Sequence, residues 1–305
     1  MFISLMPGLY RPKAVEFSIA ALSYAILFAI TVRLTYLLAS TATPTILQKT
    51  HTMNHKASRY AVTDVQMSIG RSINNRSEVV GRGTKPHTGG VIFLWVKGSI
   101  REIGTLPGKK GGDAGAINAV GHIAGRANNG TNRGLDTAVL YRDGKMMQLL
   151  PDRRISAANG INDADQIVGL MEVGKRMLFS PIIHPFLWDK GHAVDLGTFG
   201  GSYGEAVNVN ARGDVVGYAT DAIGMSHAFL WKNGRLLDLV PGQSSQGNGI
   251  NDAGQVTGHY TTSDRQSLGF VWSNGTLRTL PTLSGRPQFV RRNSEVLISQ
   301  ELRLI

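Results

Sequence analysis

From about residue 60 onward, short apolar stretches alternate with clusters of Asn, Asp, Gly and Lys, the pattern of brief strands joined by tight turns. One unit of this pattern is an apolar stretch ending in Ile-Asn or Val-Asn, a turn, and a mostly β-branched pair closed by Gly. It runs from Ile73-Asn74 to Val79-Val80-Gly81 and from Ile117-Asn118 to Ile123-Ala124-Gly125. It recurs from Ile161-Asn162 to Ile167-Val168-Gly169, from Val209-Asn210 to Val215-Val216-Gly217, and from Ile250-Asn251 to Val256-Thr257-Gly258. The asparagines stand 44, 44, 48 and 41 positions apart. A second unit follows each time: Phe93-Leu94-Trp95, Val139-Leu140-Tyr141, Phe186-Leu187-Trp188, Phe229-Leu230-Trp231 and Phe270-Val271-Trp272, each followed by a two-residue turn ending in Gly and another strand.

Each unit predicts a hairpin. The Asn side chain can close an Asx turn, and the position that needs a positive φ is Gly121, Gly213 or Gly254 in three copies and Asp165 in another. Asn233-Gly234 and Asn274-Gly275 are the strongest two-residue hairpin signals. Strands apolar at consecutive positions are buried on both faces. Two such hairpins per repeat make a four-stranded sheet that needs a neighbour on each side, which is a β-propeller blade. At the ends, Tyr60–Val65 matches a fourth strand, while Phe289-Val290 and Glu295–Ile298 copy a first hairpin. The expected fold is therefore all-β: a propeller over residues 59–305 with about twenty-four strands in six blades, the last closed by the N- and C-terminal strands. A five-bladed ring with a loose tail is the alternative. The four tryptophans, at one repeat-equivalent place, are expected in the core.

The segments His227-Ala228-Phe229-Leu230-Trp231, Asp195-Leu196-Gly197-Thr198-Phe199-Gly200-Gly201 and Ile250-Asn251-Asp252-Ala253-Gly254-Gln255-Val256 resemble the HAF-repeat family over about Tyr60 to Leu283. The resemblance implies propeller-like blades and an extracellular bacterial protein. It brings no catalytic residues with it. Tyr141 in place of Trp, and Ala138 without a preceding His, mark the second copy as degenerate.

The first forty-two residues differ. Ala14–Val32 is almost wholly apolar, Glu16 being its one charge, with Arg11 and Lys13 just before it and Arg33 just after. Ser40 and Ala42 suit a signal-peptidase cut. Residues 1–42 therefore read as a cleaved signal peptide or an uncleaved inner-membrane anchor, and residues 43–58 as a polar linker. Either way the propeller is expected outside the cytoplasm, secreted, periplasmic or anchored.

Composition narrows the chemistry. Glycine, 37 of 305 residues, is about 12% against a usual ~7%, in keeping with many turns. The absence of cysteine excludes disulfides and thiolate chemistry. None of the eight histidines has a zinc-site spacing, and no nucleophile elbow, P-loop or dinucleotide fingerprint is present. No cofactor, metal ligand or catalytic residue is expected. Asn162-Asp163-Ala164-Asp165 begins like a calcium loop but lacks its later Gly and Glu, and Arg212-Gly213-Asp214 spells an adhesion tripeptide on what reads first as a repeat turn.

Charge supplies the remaining lead. Lys and Arg number 32 against 21 Asp and Glu, a net +11. Strand parity puts the constant turns on one edge of the blades, and the variable loops and crossovers on the other. The variable edge carries Arg82, Lys85, Lys109, Lys110, Arg126, Arg133, Arg153, Arg154, Lys175 and Arg176, all in the first three repeats. The expected function is a non-enzymatic binding module for an anionic partner: an acidic polysaccharide, lipid head groups or an acidic protein surface. Nucleic acid is not expected, since net charge alone would support it. The alternative is an extracytoplasmic propeller enzyme acting on a polysaccharide or similar substrate.

Overall fold

The computed structural model describes residues 69–84, 90–129, 136–174 and 180–281, which carry twenty strands. The first repeat holds β1 (Ile69–Ile73), β2 (Val79–Thr84), β3 (Gly90–Val96) and β4 (Ser99–Gly104). The second holds β5 (Gly111–Ile117), β6 (Ile123–Asn128), β7 (Thr137–Arg142) and β8 (Lys145–Gln148). The third comprises β9 (Ser156–Ile161), β10 (Ile167–Glu172), β11 (Ile183–Asp189) and β12 (His192–Asp195). Then come β13 (Gly200–Val209), β14 (Val215–Asp221), β15 (Ser226–Lys232) and β16 (Arg235–Asp238), and finally β17 (Ser245–Ile250), β18 (Val256–Thr261), β19 (Ser267–Ser273) and β20 (Thr276–Thr279). Each repeat is an antiparallel four-stranded meander. The start of β11 in the third also meets β13 of the fourth through one parallel bridge, Ile183 to Tyr203. The expected N-terminal helix, the Tyr60–Val65 strand and the C-terminal strands lie outside the described residues.

The turn chemistry holds in detail. Ser77, Gly121, Asp165, Gly213 and Gly254 all have positive φ. In each second hairpin both central residues do so, as in Asn233 (52°) and Gly234 (75°), which is the type I′ turn. The motif glycine of the second strand has a different cause. Every first strand carries a β-bulge, with Arg71, Gly115, Asn159, Val207 or Asn248 as the extra residue. At this bulge the first strand's carbonyl presses on the glycine, so that a Cβ at Gly169 would lie 1.9 Å from the Ala157 oxygen and one at Gly217 2.0 Å from that of Glu205.

The core lies between sheets. Four clusters fill the four interfaces; one joins Leu140, Leu149 and Leu150 of the second repeat to Ile161, Phe186 and Trp188 of the third. Phe186, Phe229 and Phe270 are the largest fully buried side chains. The tryptophans are shallower than expected: Trp188 is buried, whereas Trp95, Trp231 and Trp272 are half-buried and none is exposed. The strand's alternation explains this. Phe229 pairs with Asp238 under the neighbouring sheet, while Trp231, two residues on and next to the turn, reaches its rim. At the start of the series Ile73 is 50% exposed, although its equivalents Ile117, Ile161 and Val209 are 6%, 9% and 5% exposed. Those three each meet a preceding sheet, and Ile73 meets none among the described residues.

Candidate functional site

The repeats present two edges. On the first edge the repeat asparagines form a ladder. Asn74 Nδ2 donates to the Asn118 carbonyl at 3.0 Å, Asn118 to that of Asn162 at 3.2 Å, Asn162 to Asn210 at 2.9 Å and Asn210 to Asn251 at 3.2 Å. Each side-chain oxygen meanwhile accepts backbone N–H groups of its own turn, such as those of Arg212 and Asp214 on Asn210. One side chain thus closes a turn and ties it to the next blade. The tripeptide Arg212-Gly213-Asp214 is part of this lock. Asp214 is buried, accepts from Asn210 at 3.2 Å and stands 3.1 Å from Arg212, and the Arg212 Nη1 also donates to the Asp252 carbonyl. Burial pushes the Asp214 carboxyl up, but Asn210, Arg212 and Lys232 outweigh it and hold it below the ordinary Asp value. Glu78 follows the same logic, with Asn74 and Arg76 outweighing burial. Asp163 and Asp165 are likewise committed: Asp163 accepts the Ala119 N–H at 2.8 Å, and Asp165 accepts from Asn118 and faces His122.

The second edge is where the repeats diverge. Here His184 Nδ1 lies 2.9 Å from Asp195, and His227 stands between Asp238 (2.9 Å from Nδ1) and Asp221 (3.2 Å from Nε2). The His227–Asp238 approach is an ion-pair distance, off the line a hydrogen bond needs. These are braces across strands and into the β14–β15 loop. Desolvation pushes Asp221 up, but the Met225 N–H, His227 and the Ile223 N–H outweigh it and lower its pKa.

Six of the ten basic residues fall among the described ones, and all six lie at this second edge. Arg82 and Arg126 are near the ends of β2 and β6, so they belong to strands rather than to the loops beyond. Lys109 and Lys110 immediately precede β5, and Arg153 and Arg154 precede β9. Lys85, Arg133, Lys175 and Arg176 lie outside the described residues. Their surroundings are less uniformly positive than the sequence suggests. Arg154 makes a bidentate pair with Glu172, both bonds 3.0 Å, and Arg153 stands 3.5 Å from Asp152. Arg126 lies 3.2 Å from Asp113 and 3.5 Å from Asp136. Lys109 and Lys110 have no ion pair among the described residues.

A row of side chains, of which the sequence singled out only the two arginines, runs along the same edge. The residue after each motif glycine is Arg82, Arg126, Leu170, Tyr218 or His259, each paired in register with a first-strand residue: Ile69, Asp113, Ala157, Glu205 or Gln246. The bulge residues reach across to the next repeat. Arg71 bonds Asp113 at 2.8 Å, and Asn159 bonds Glu205 at 3.1 Å. The one available signal was variability: this position holds Arg, Arg, Leu, Tyr and His in successive repeats, while the glycine before it stays fixed. Among the described residues no group of three His, Asp or Glu could hold a metal ion, and no helix is long and apolar enough to cross a membrane.

No family model and no curated protein matches the chain. Solved structures do. The β-propeller domain of the trilobed protease from Pyrococcus furiosus matches with a TM-score of 0.52 at 13% identity, over 76% of this chain and 73% of that one. An acylaminoacyl peptidase matches with a TM-score of 0.50 at 14% identity, over 74% of this chain and 40% of that one. TolB from Acinetobacter baumannii matches with a TM-score of 0.49 at 16% identity, over 70% of this chain, which spans only 54% of TolB. At such identities the likeness to the two peptidase structures speaks to fold alone, and with the repeated four-stranded sheets it makes this chain an all-β protein of propeller architecture.

Proposed function

We propose that the chain is an exported, non-enzymatic β-propeller of the HAF-repeat type that binds an anionic partner through its second edge. The observation that carries this reading is the gathering of Arg82, Lys109, Lys110, Arg126, Arg153 and Arg154 on one edge while the opposite edge is locked by the asparagine ladder. Variable positions on a rigid scaffold are where recognition is usually built. Residues 14–32 direct the chain to the membrane, as signal or anchor, and leave the propeller outside. The ring has six blades, the sixth built from the terminal strands; the exposure of Ile73, where Ile117, Ile161 and Val209 are buried, supports a further blade at that side.

Lys109 and Lys110 provide the test. Reversing Arg154 would set a new carboxylate beside the buried Glu172 and confuse binding with folding. Lys109→Glu with Lys110→Glu reverses two charges that are paired with no carboxylate among the described residues. This variant is expected to lose salt-sensitive binding to an acidic polysaccharide with stability changed by less than about 0.5 kcal/mol. Undiminished binding would remove the reading.

A further inference from the structure

The geometry points to an acidic-sugar subsite on the variable row, and we propose that the anionic partner is a uronate-bearing polysaccharide held by Tyr203 and Tyr218 at one end and by Arg71, Arg82 and Arg126 at the other. This rests on the anionic-partner reading above and narrows it. The Tyr203 and Tyr218 rings stack with centroids 6.1 Å apart and planes 29° from parallel, and Tyr203 is 37% exposed. Their hydroxyls reach the same oxygen of Glu205, at 3.2 and 2.6 Å, while Asn159 bonds its other oxygen. Both rings are therefore fixed before anything binds, so little conformational freedom remains to be lost. A rigid aromatic face beside a carboxylate and an amide suits a sugar, whose C–H face stacks and whose hydroxyls bond polar groups at the ring's edge.

Glu205–Tyr218 and Asp113–Arg126 are repeat-equivalent pairs, so Arg126 occupies the same row two repeats away, Arg82 occupies it three repeats away, and Arg71 is the bulge residue beside Arg82's strand. Buried Asp113 orients Arg71 and Arg126 together, at 2.8 and 3.2 Å, and leaves both guanidinium groups partly exposed. Their planar forks match carboxylates. Ala157 and Leu170 hold the intervening repeat's places and offer no polar group. An oligosaccharide of acidic sugars carries, on one chain, both the ring faces that the tyrosines suit and the carboxylates that the arginines suit.

The experiment measures binding of the full chain to oligogalacturonate, with maltohexaose as neutral sugar, polyglutamate as sugarless polyanion and phosphatidylglycerol vesicles as lipid surface. Oligogalacturonate is expected to bind about tenfold or more tightly than polyglutamate or the vesicles, and maltohexaose not measurably. Tyr203→Ala and Arg82→Gln should each weaken it about tenfold, whereas Lys97→Asn, on the opposite edge, should not. Tyr203→Leu, which keeps bulk and loses the aromatic face, repeats the test should the alanine variant be unstable. Equal binding of polyglutamate, or full binding by both Tyr203 variants, overturns the sugar assignment while the anionic reading stands. Failure of every anionic probe to bind overturns both.

Discussion

The two edges of the blades are built from the same strands and behave oppositely. On the turn edge one asparagine per repeat caps its own turn and bonds the next repeat, so drift at that position breaks two contacts at once. On the other edge the equivalent places hold arginine, leucine, tyrosine or histidine without disturbing the sheet. Constancy on one side maintains the arrangement of blades, and this leaves the other free to specialise.

The sharpest break in that comparison lies between the edges, at the bulge. Gly217→Val should destabilise by about 4 kcal/mol or prevent folding, since its Cβ would meet the Glu205 carbonyl and backbone cannot step aside. Expression and denaturant unfolding check this. Phe229→Ala should cost about 3–5 kcal/mol as a fully buried truncation, with half-buried Trp231→Ala costing less, about 2 kcal/mol. Equal losses in calorimetry would mean that rim and core are not distinct. Asn210→Ala should cost about 2–3 kcal/mol, because buried Asp214 loses a donor and two turn amides lose their acceptor. The same truncation at half-exposed Asn74 should cost visibly less. The smallest effect is pH-dependent. Asp214 has a folded pKa below its unfolded one, so its contribution is fully present above the unfolded value of about 3.9 and is lost as pH falls through the folded value. Asp214→Asn should therefore flatten the acid limb of a stability–pH curve; an unchanged limb would show that the carboxylate is not linked to folding.

Much of this was legible in advance because it is local. Asn162 announces an Asx turn, Asp165 stands where φ is positive, and Asn233-Gly234 dictates its hairpin, each within a few residues. The candidate site was legible only as a distribution of charge. Arg154 and Glu172 are 18 residues apart, and Arg71 and Asp113 are 42 apart. No spacing reveals that these charges meet in pairs. Tyr203 and Glu205 belong to a strand longer than its equivalents, and their significance comes from Asn159 on the preceding repeat.

By itself, then, the sequence determined the repeat, its strands and turns and the edge on which variation collects, because hydrophobic alternation and turn propensity act over a handful of residues. Tertiary structure decided the rest. The stacking of one sheet on the next chose phenylalanine over tryptophan for the deepest places, turned the motif asparagines into a ladder, and forced glycine beneath each bulge. It also set which carboxylates each arginine meets, since that depends on which acidic side chains the folded strands bring within about 3 Å.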